Sequence, residues 1–229
     1  MNRLGRILWK LFVGPFKYRG RGSYDAEKYW RDRHHTYSTG YRGSGNEALS
    51  EEENARLYQE NVARFRAICR EHGVALGPGT RVLEIGCGNG VYTRVCRESG
   101  VTDYTGIDIT DELFPALGRD FPGYRFAKAD CTRPMEPAPA YDTILMIDVI
   151  EHITAPENLA GAMANARRLL KPGGAFLVSP VMDSSRKRMF YVRSWAEPDL
   201  VRHFPGWGVE RTPFRDGRML ILRSAAAGS

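Results

Sequence analysis

The stretch Val82-Leu83-Glu84-Ile85-Gly86-Cys87-Gly88-Asn89-Gly90 decides the fold of this 229-residue chain. An apolar strand pattern runs into three glycines at alternate positions, and a helical pattern follows. Glycine permits a tight turn and lets the backbone come close to a ligand. The third glycine of a dinucleotide-binding loop would fall at Val91, and no Gly-Lys-Ser/Thr of a phosphate-binding loop follows, so both of those loop types are excluded. Glu84 would repel a pyrophosphate and suit a cationic ligand.

Strand and helix patterns alternate from this loop towards the C-terminus. Strands are predicted at 81–85, 104–108, 124–129, 143–147 and 175–179, and the clearest helix at 156–170, closed by Lys171-Pro172-Gly173-Gly174. Residues 206–223 predict a final hairpin around Asp216-Gly217. The alternation predicts an α/β fold with a doubly wound, mostly parallel, seven-stranded Rossmann-like sheet and a terminal antiparallel hairpin. Open sheets of this kind bind ligands at the carboxyl ends of their strands.

The residues before the first strand predict a helical cap on this sheet. Ser50 and Glu53 form a capping box that begins a helix, and Gly73 is a natural stop for it. Residues 20–48 are rich in Tyr, Gly, Arg and Ser, which favours an ordered cap or lid. The His34-His35 pair within it is either functional or plain polar surface. We therefore expect a basic amphipathic segment at 1–22 and one domain at 23–229, whose cap segment is 23–72.

Positive charge is concentrated at the N-terminus. The first 22 residues hold six basic residues and no acid, which equals the net charge of +6 (Arg3, Arg6, Lys10, Lys17, Arg19 and Arg21). The neutral remainder disfavours a nucleic-acid enzyme, whose binding face is usually basic along its length.

The same N-terminal segment carries an apolar stripe at helical spacing, formed by Leu4, Ile7, Leu8, Leu11 and Phe12, and Gly14-Pro15 is expected to end that helix. Such a helix is typical of peripheral membrane contact, and the alternative is docking on residues 50–72 of its own domain.

Cysteine usage and hydropathy limit the cellular setting. Cys69, Cys87, Cys96 and Cys131 are scattered and form no CxxC pair, which indicates reduced thiols and no zinc site. No apolar run approaches the roughly 20 residues that span a bilayer. We expect a cytoplasmic protein whose contact with a membrane, if any, is peripheral.

Ordered motifs across residues 55–223 resemble those of the class I S-adenosylmethionine-dependent methyltransferases, particularly the small-molecule enzymes of the ubiquinone pathway. The motifs are E-I-G-C-G-N-G at 84–90, Y-T-G-I-D at 104–108, A-K-A-D-C at 127–131, the run at 141–153 and L-L-K-P-G-G at 169–174. The resemblance implies S-adenosyl-L-methionine as cofactor. It implies binding by Glu84, Gly86, Cys87, Gly88, Asn89, Gly90, Asp108, Ile109, Asp130, Cys131 and Asp148. Asp108 would accept hydrogen bonds from the ribose hydroxyls, and Asp130 would accept one from the adenine amine.

His152, just after the fourth predicted strand, is the candidate catalytic residue. Its near-neutral reference pKa suits a general base for an oxygen acceptor, which must lose a proton. The alternative is a histidine that packs and bonds to loop backbone. Asp148, Glu151 and His152 resemble an E-x-x-E-H stretch that is linked to a divalent cation in some relatives and needs no metal in many, so we assign no metal ligand and leave metal use open.

The chemical class of the methyl acceptor can be narrowed, because one motif is absent. Methyltransferases of nucleic-acid amines usually carry Asn/Asp-Pro-Pro-Tyr/Phe after the fourth strand, and this chain reads Asp148-Val149-Ile150-Glu151 there. The leading hypothesis is methyl transfer to a small molecule, at an oxygen. The alternatives are methylation of RNA or protein, or a non-catalytic cofactor-binding partner protein. The insertion at 180–205, with Arg186-Lys187-Arg188, would either roof an aromatic pocket or form a solvated face.

Overall fold

The computed structural model describes residue 5 and residues 8–135 and 141–224. The strands are β1 (Arg81–Ile85), β2 (Asp103–Asp108), β3 (Arg125–Lys128), β4 (Tyr141–Ile147), β5 (Leu170–Val181), β6 (Arg186–Met189), β7 (Val192–Ser194), β8 (Gly208–Phe214) and β9 (Gly217–Arg223). A π-helical turn (Trp9–Val13) runs into α1 (Gly14–Lys17). The other helices are α2 (Ala26–Tyr37), α3 (Tyr41–Ser44), α4 (Glu51–Glu71), α5 (Val91–Glu98), α6 (Phe114–Asp120), a 3-10 turn (Ile150–His152), α7 (Pro156–Leu169) and α8 (Glu197–Val201).

Seven strands form one sheet in the order β3-β2-β1-β4-β5-β9-β8. The pairs from β3 through β5 are parallel, and β9 joins antiparallel to both β5 and β8. This confirms the predicted fold class, including the terminal hairpin. The sheet order reverses between β1 and β4, so the carboxyl ends of these strands border a crevice.

Both faces of the sheet are buried, which explains the continuous apolar strands. In β4, Ile144 and Met146 pack into the cluster that includes α7, whereas Leu145 and Ile147 point to the opposite cluster with α4 and α5. Successive side chains alternate between faces, so an apolar residue at every position needs helices on both sides.

Three predicted boundaries are corrected by the structure. Leu170 already pairs with Tyr141, so Lys171–Gly174 belongs to β5 instead of forming a turn, and the register shifts before Thr143. The hairpin turn is Arg215-Asp216, because Gly217 pairs with Phe214. Gly14-Pro15 does not end the first helix, since α1 continues through it. Proline is tolerated in a first helical turn, where its missing N–H has no intrahelical partner.

The predicted helical cap is present, and aromatic side chains hold it together. The capping box of Ser50 and Glu53 begins α4, and Asp25 caps α2 by accepting from the Lys28 amide. The rings of Trp9, Tyr18, Tyr24, Tyr29, Trp30, Phe190 and Tyr191 pack together, and we call this cluster the aromatic cap. It joins the N-terminal helices to the β6–β7 hairpin, which sequence patterns did not predict. Among the described residues, no helix is both long and apolar enough to cross a membrane.

Candidate active site

A cavity of about 730 Å³ lies at the carboxyl ends of β1, β2 and β4, beneath α2. Every predicted site residue except Gly90 lines it. The sheet brings these residues together from four separate motifs, because parallel strands end at the same edge. Gly90 lies at the start of α5 behind the lining, where its amide donates to the Cys87 carbonyl over 2.8 Å.

The glycine loop is shaped by two positions that no other residue fits without strain. Gly86 has a φ of +75°, and a Cβ there would overlap the Val149 side chain. Gly90 has a φ of +80°, and its Cβ would lie 2.7 Å from Leu117. The Gly86 amide donates to the Ile107 carbonyl over 2.7 Å, which ties the loop to β2. The loop is therefore fixed by the backbone before any ligand binds.

Glu84 lies under this loop and is buried. Its Oε2 accepts from the Thr93 hydroxyl at 2.9 Å and from the Tyr104 hydroxyl. Burial raises the pKa of Glu84 to about 8. These contacts brace the loop from below, and a role towards a cationic ligand stays a prediction.

Asp108 holds the loop from the end of β2. One carboxylate oxygen accepts from the Gly88 amide at 3.0 Å and the other from the Thr110 amide at 3.1 Å. Burial raises its pKa to about 6, and the backbone hydrogen bonds oppose that shift. A carboxylate oxygen accepts more than one hydrogen bond, so both retain capacity for a ligand's hydroxyl groups.

Asp130 and Cys131 follow β3 at the neighbouring position. Asp130 Oδ1 accepts from the amide and hydroxyl of Thr132, at 2.9 and 2.7 Å. Burial raises the pKa of the Cys131 thiol to about 12, so the thiol stays protonated at neutral pH. Its carbonyl accepts from Asn165 at 2.8 Å, which fixes this segment against α7.

Asp148 forms a partly buried ion pair that sequence reasoning missed. Its partner is Arg215, in the turn between β8 and β9, and both residues have a positive φ, of 60° and 54° respectively. Burial raises the pKa of Asp148, and the guanidinium opposes that shift. The Asp216-Gly217 pair predicts a hairpin turn. It does not show that the preceding residue, Arg215, contacts the end of β4.

His152 borders the cavity from the 3-10 turn after β4. Its Nδ1 lies 2.9 Å from the Tyr191 carbonyl, and its ring meets the edge of Trp30 at a centroid distance of 4.8 Å. A carbonyl only accepts, so Nδ1 carries the hydrogen and Nε2 keeps its lone pair. Burial lowers the pKa of His152 to about 4, which makes the ring neutral at physiological pH. The hydrogen bond to loop backbone fits the packing interpretation of His152, and its role as a general base stays a prediction.

The structure separates the two neighbouring histidines of α2. His34 is buried, lines the cavity, and places Nδ1 3.1 Å from the Thr110 hydroxyl. The side chain of His35 is 84% exposed. Burial lowers the pKa of His34 to about 4, so it is also neutral. His34 and Trp30, which the sequence did not assign to the site, both roof the cavity. The helical spacing of four residues that places them on one face was the available signal.

A family model described as "Methyltransferase domain" matches residues 50–213, more than half of the chain. The chain belongs to the class I S-adenosylmethionine-dependent methyltransferases. This confirms the predicted family, and with it S-adenosyl-L-methionine as the cofactor.

Curated relatives match about half of the chain. A ubiquinone biosynthesis O-methyltransferase of Paracidovorax citrulli (strain AAC00-1) is 31% identical over 137 residues, which is 57% of this chain and 55% of that protein. A demethylmenaquinone methyltransferase of Tropheryma whipplei (strain Twist) is 31% identical over 115 residues, 49% of this chain and 46% of that protein. The methyltransferase therefore spans about half the length of the curated relatives it matches.

Solved structures share the fold over more of the chain. The DhpI–SAH complex has a TM-score of 0.62 at 19% identity and covers 87% of this chain and 95% of that one. A 1,6-didemethyltoxoflavin-N1-methyltransferase of Burkholderia thailandensis has a TM-score of 0.56 at 20% identity and covers 83% and 90%. At these identities the likeness shows the fold.

The site residues fit the cofactor of this family. Gly86 has no side chain, so its backbone can lie directly against a ligand. The Asp108 carboxylate can accept further hydrogen bonds. The hydroxyls of Ser44 and Tyr92 line the cavity, are buried, and have no hydrogen-bond partner among the described residues. Buried polar groups without partners are uncommon and point to a ligand that satisfies them. Within 8–135 and 141–224, no three metal-ligating side chains converge, and the assignment of no metal ligand stays a prediction.

Proposed function

We propose that this methyltransferase methylates a hydroxyl oxygen of a small molecule held between the strand ends and α2. The observation that carries the proposal is the neutral His152, whose Nε2 lone pair is left over at the cavity after Nδ1 bonds to Tyr191. The name of the P. citrulli relative, an O-methyltransferase, supports the same acceptor atom.

The cofactor would be held by the predicted residues at the strand ends. We assign the ribose hydroxyls to Asp108, the adenine amine to Asp130 and the amino-acid end to the loop at 86–90 and Asp148. When bound, S-adenosylmethionine would supply a methyl group on a sulfonium, whose carbon–sulfur bond breaks as the carbon–oxygen bond forms and leaves S-adenosylhomocysteine.

His152 would orient the acceptor and take its proton. An acceptor hydroxyl donates to Nε2, which aims an oxygen lone pair away from the ring. As the C–O bond forms, the hydroxyl proton passes to Nε2. Holding two reactants in line removes most of the entropic barrier, so this orientation accounts for much of the rate. The Tyr191 carbonyl keeps the ring in the required tautomer.

The shape of the cavity favours a small acceptor over RNA or protein. Ligand pockets of about 300–1,000 Å³ bury most of a small molecule, and this cavity of about 730 Å³ lies within that range. Its aromatic roof, with Tyr24 and Trp30, suits a planar or apolar acceptor.

Paired acceptors test this proposal. The full chain is incubated with S-adenosylmethionine and aromatic compounds that differ only in carrying a hydroxyl or an amine, and products are identified by mass spectrometry and NMR. Methylation of hydroxyls, with the paired amines unreacted, supports the proposal. Methylation at nitrogen or carbon only would overturn it. Consumption of cofactor on an RNA or a peptide but on no small molecule would favour the alternative class.

Peripheral membrane contact by residues 1–22 is a further part of the proposal. Of the predicted apolar stripe, Leu8, Leu11 and Phe12 are exposed, whereas Leu4 and Ile7 lie outside the described residues. The described part of the segment contributes Trp9 and Tyr18 to the aromatic cap, whereas Leu11, Phe12 and Phe16 stay exposed. The cytoplasmic location and the domain boundaries stay predictions.

A further inference from the structure

The largest exposed apolar side chains of the described chain gather in two adjacent places. Leu8, Leu11, Phe12, Val13 and Phe16 project from the N-terminal helices, with Phe16 79% exposed, and Met189 projects from β6. A Cβ on Gly14 would collide with the Phe190 ring, and Phe190 stacks on Tyr18. The β6–β7 hairpin and the N-terminal helices are therefore packed against each other, and both carry exposed apolar side chains.

Part of the positive charge of the first 22 residues is neutralised in the folded chain, which the sequence did not predict. Lys10 pairs with Glu47 at 3.1 Å and Lys17 with Asp32 at 2.8 Å, so acids of the cap neutralise both. Arg3 and Arg6 lie outside the described residues. The β6 strand supplies Arg186, Lys187 and Arg188, all exposed, and the described part of the chain offers none of them a carboxylate within 4 Å.

We propose that the N-terminal helices and the β6–β7 hairpin form one composite surface that docks on an anionic lipid bilayer. The inference extends the membrane contact proposed for residues 1–22, and it assigns part of the binding to β6 (Arg186–Met189), far along the chain. Exposed apolar side chains beside clustered arginine and lysine match the acyl and headgroup layers of an anionic interface. A protein partner of matching acidity, or a second copy of the chain, is an outcome of the test below.

Each of the two segments leads along the chain to a residue at the cavity. After α1 the chain turns through the Arg19–Tyr24 bridge into residues 20 and 21, which line the cavity. After β6 it reaches Tyr191, whose carbonyl holds His152. Docking would therefore hold both walls of the acceptor site at the lipid surface, where an amphiphilic acceptor is concentrated.

Vesicle flotation with full-length protein tests the proposal. The vesicles are phosphatidylcholine, with or without phosphatidylglycerol, at low and high salt. We expect binding to the anionic vesicles only, weakened by salt. Neutralising R186Q/K187Q/R188Q should weaken binding on the order of a hundredfold, since each basic residue near an anionic surface contributes about 1 kcal/mol. The matched control R56Q/R70Q/R119Q removes three exposed cations elsewhere and should bind as the wild type does.

A second variant separates the two halves. L11S/F12S/F16S removes exposed apolar side chains and should weaken binding at least about tenfold without lowering the melting temperature. If the hairpin variant binds normally while the helix variant does not, residues 1–22 act alone and the composite surface is wrong. Absence of vesicle binding, with a dimer in sedimentation equilibrium that L11S/F12S/F16S disrupts, would assign the patch to a second copy. Methylation of a water-soluble acceptor without vesicles reports on the proposed chemistry independently.

Discussion

The strand ends and the aromatic cap enclose the same cavity, but different physics fixes each of them. At the strand ends, backbone geometry dominates, because Gly86 and Gly90 adopt positive φ and Asp108 ties two amides together. In the cap, rings from residues 9–30 and 190–191 pack by contact, with Tyr29 and Tyr191 stacked at a centroid distance of 4.7 Å. A short sequence motif specifies the arrangement at the strand ends. The aromatic cap forms only when distant parts of the folded chain pack together.

Because of this difference, we assign cofactor binding to the strand ends and acceptor binding to the cap. The strand ends are preformed and carry the residue types that the family's cofactor needs. The cap covers them with His34, Trp30 and, through Tyr191, the oriented His152. Variants at the strand ends should weaken or abolish cofactor binding, and variants in the cap should spare it while lowering turnover.

Gly86→Ala should have the largest effect. A Cβ at this position meets Val149, and the φ of +75° strains any L side chain, so we expect a loss of about 3 kcal/mol or more of stability and no measurable S-adenosylhomocysteine binding. Thermal melting and calorimetry measure both. Gly118→Ala in α6, where no atom lies within 4 Å of the new Cβ, is the control and should be neutral or stabilising. Normal binding by Gly86→Ala would remove the claim that backbone geometry fixes this region.

The contrast explains how far the sequence could predict the molecule. The strands, the long helices and the strand-end acids follow from local periodicity and an ordered set of motifs. Arg215 could not be assigned to Asp148, because that contact depends on how β8 and β9 join the sheet. The cap could not be placed either. Its rings lie far apart in sequence, and Phe190 and Tyr191 reach it through a hairpin that the basic run at 186–188 concealed.

His152→Ala should lower turnover about 100-fold with cofactor affinity nearly unchanged, because general bases contribute about that much. Wild-type turnover should fall only as the pH approaches 4, since burial sets the pKa of His152 near 4. Steady-state rates against pH, with calorimetry of S-adenosylhomocysteine, measure both. Wild-type turnover in the variant would restrict this ring to packing.

His34→Ala should raise the acceptor KM about tenfold and leave cofactor affinity intact, which corresponds to the loss of about one hydrogen bond in the cap. The exposed neighbour provides the control, and His35→Ala should behave as the wild type does. The same KM in both variants would exclude His34 from the acceptor site.

The smallest expected effect is the change of the melting temperature with pH in the ligand-free protein. Burial raises the pKa of Glu84 and Glu151 to about 8, above their reference of 4.5, so their contribution to stability is lost as the pH rises towards 8. His34 and His152 have lowered pKa values and act only below 6.5. The melting temperature should therefore fall between pH 6.5 and 8, and less so in Glu84→Gln. A rise over that interval would contradict the assignment.

Calorimetric titration of Asp108→Ala with S-adenosylhomocysteine tests the central claim, that the strand ends form the cofactor site, most directly. We predict weaker binding by about 1.5–3 kcal/mol, the range for hydrogen bonds to a charged group, in a protein that still melts cooperatively. Asp108→Asn, which keeps one acceptor oxygen, should fall between this variant and the wild type. Unchanged affinity in Asp108→Ala would show that the carboxylate only caps the Gly88 and Thr110 amides, and the assignment of the cofactor to this edge would be wrong.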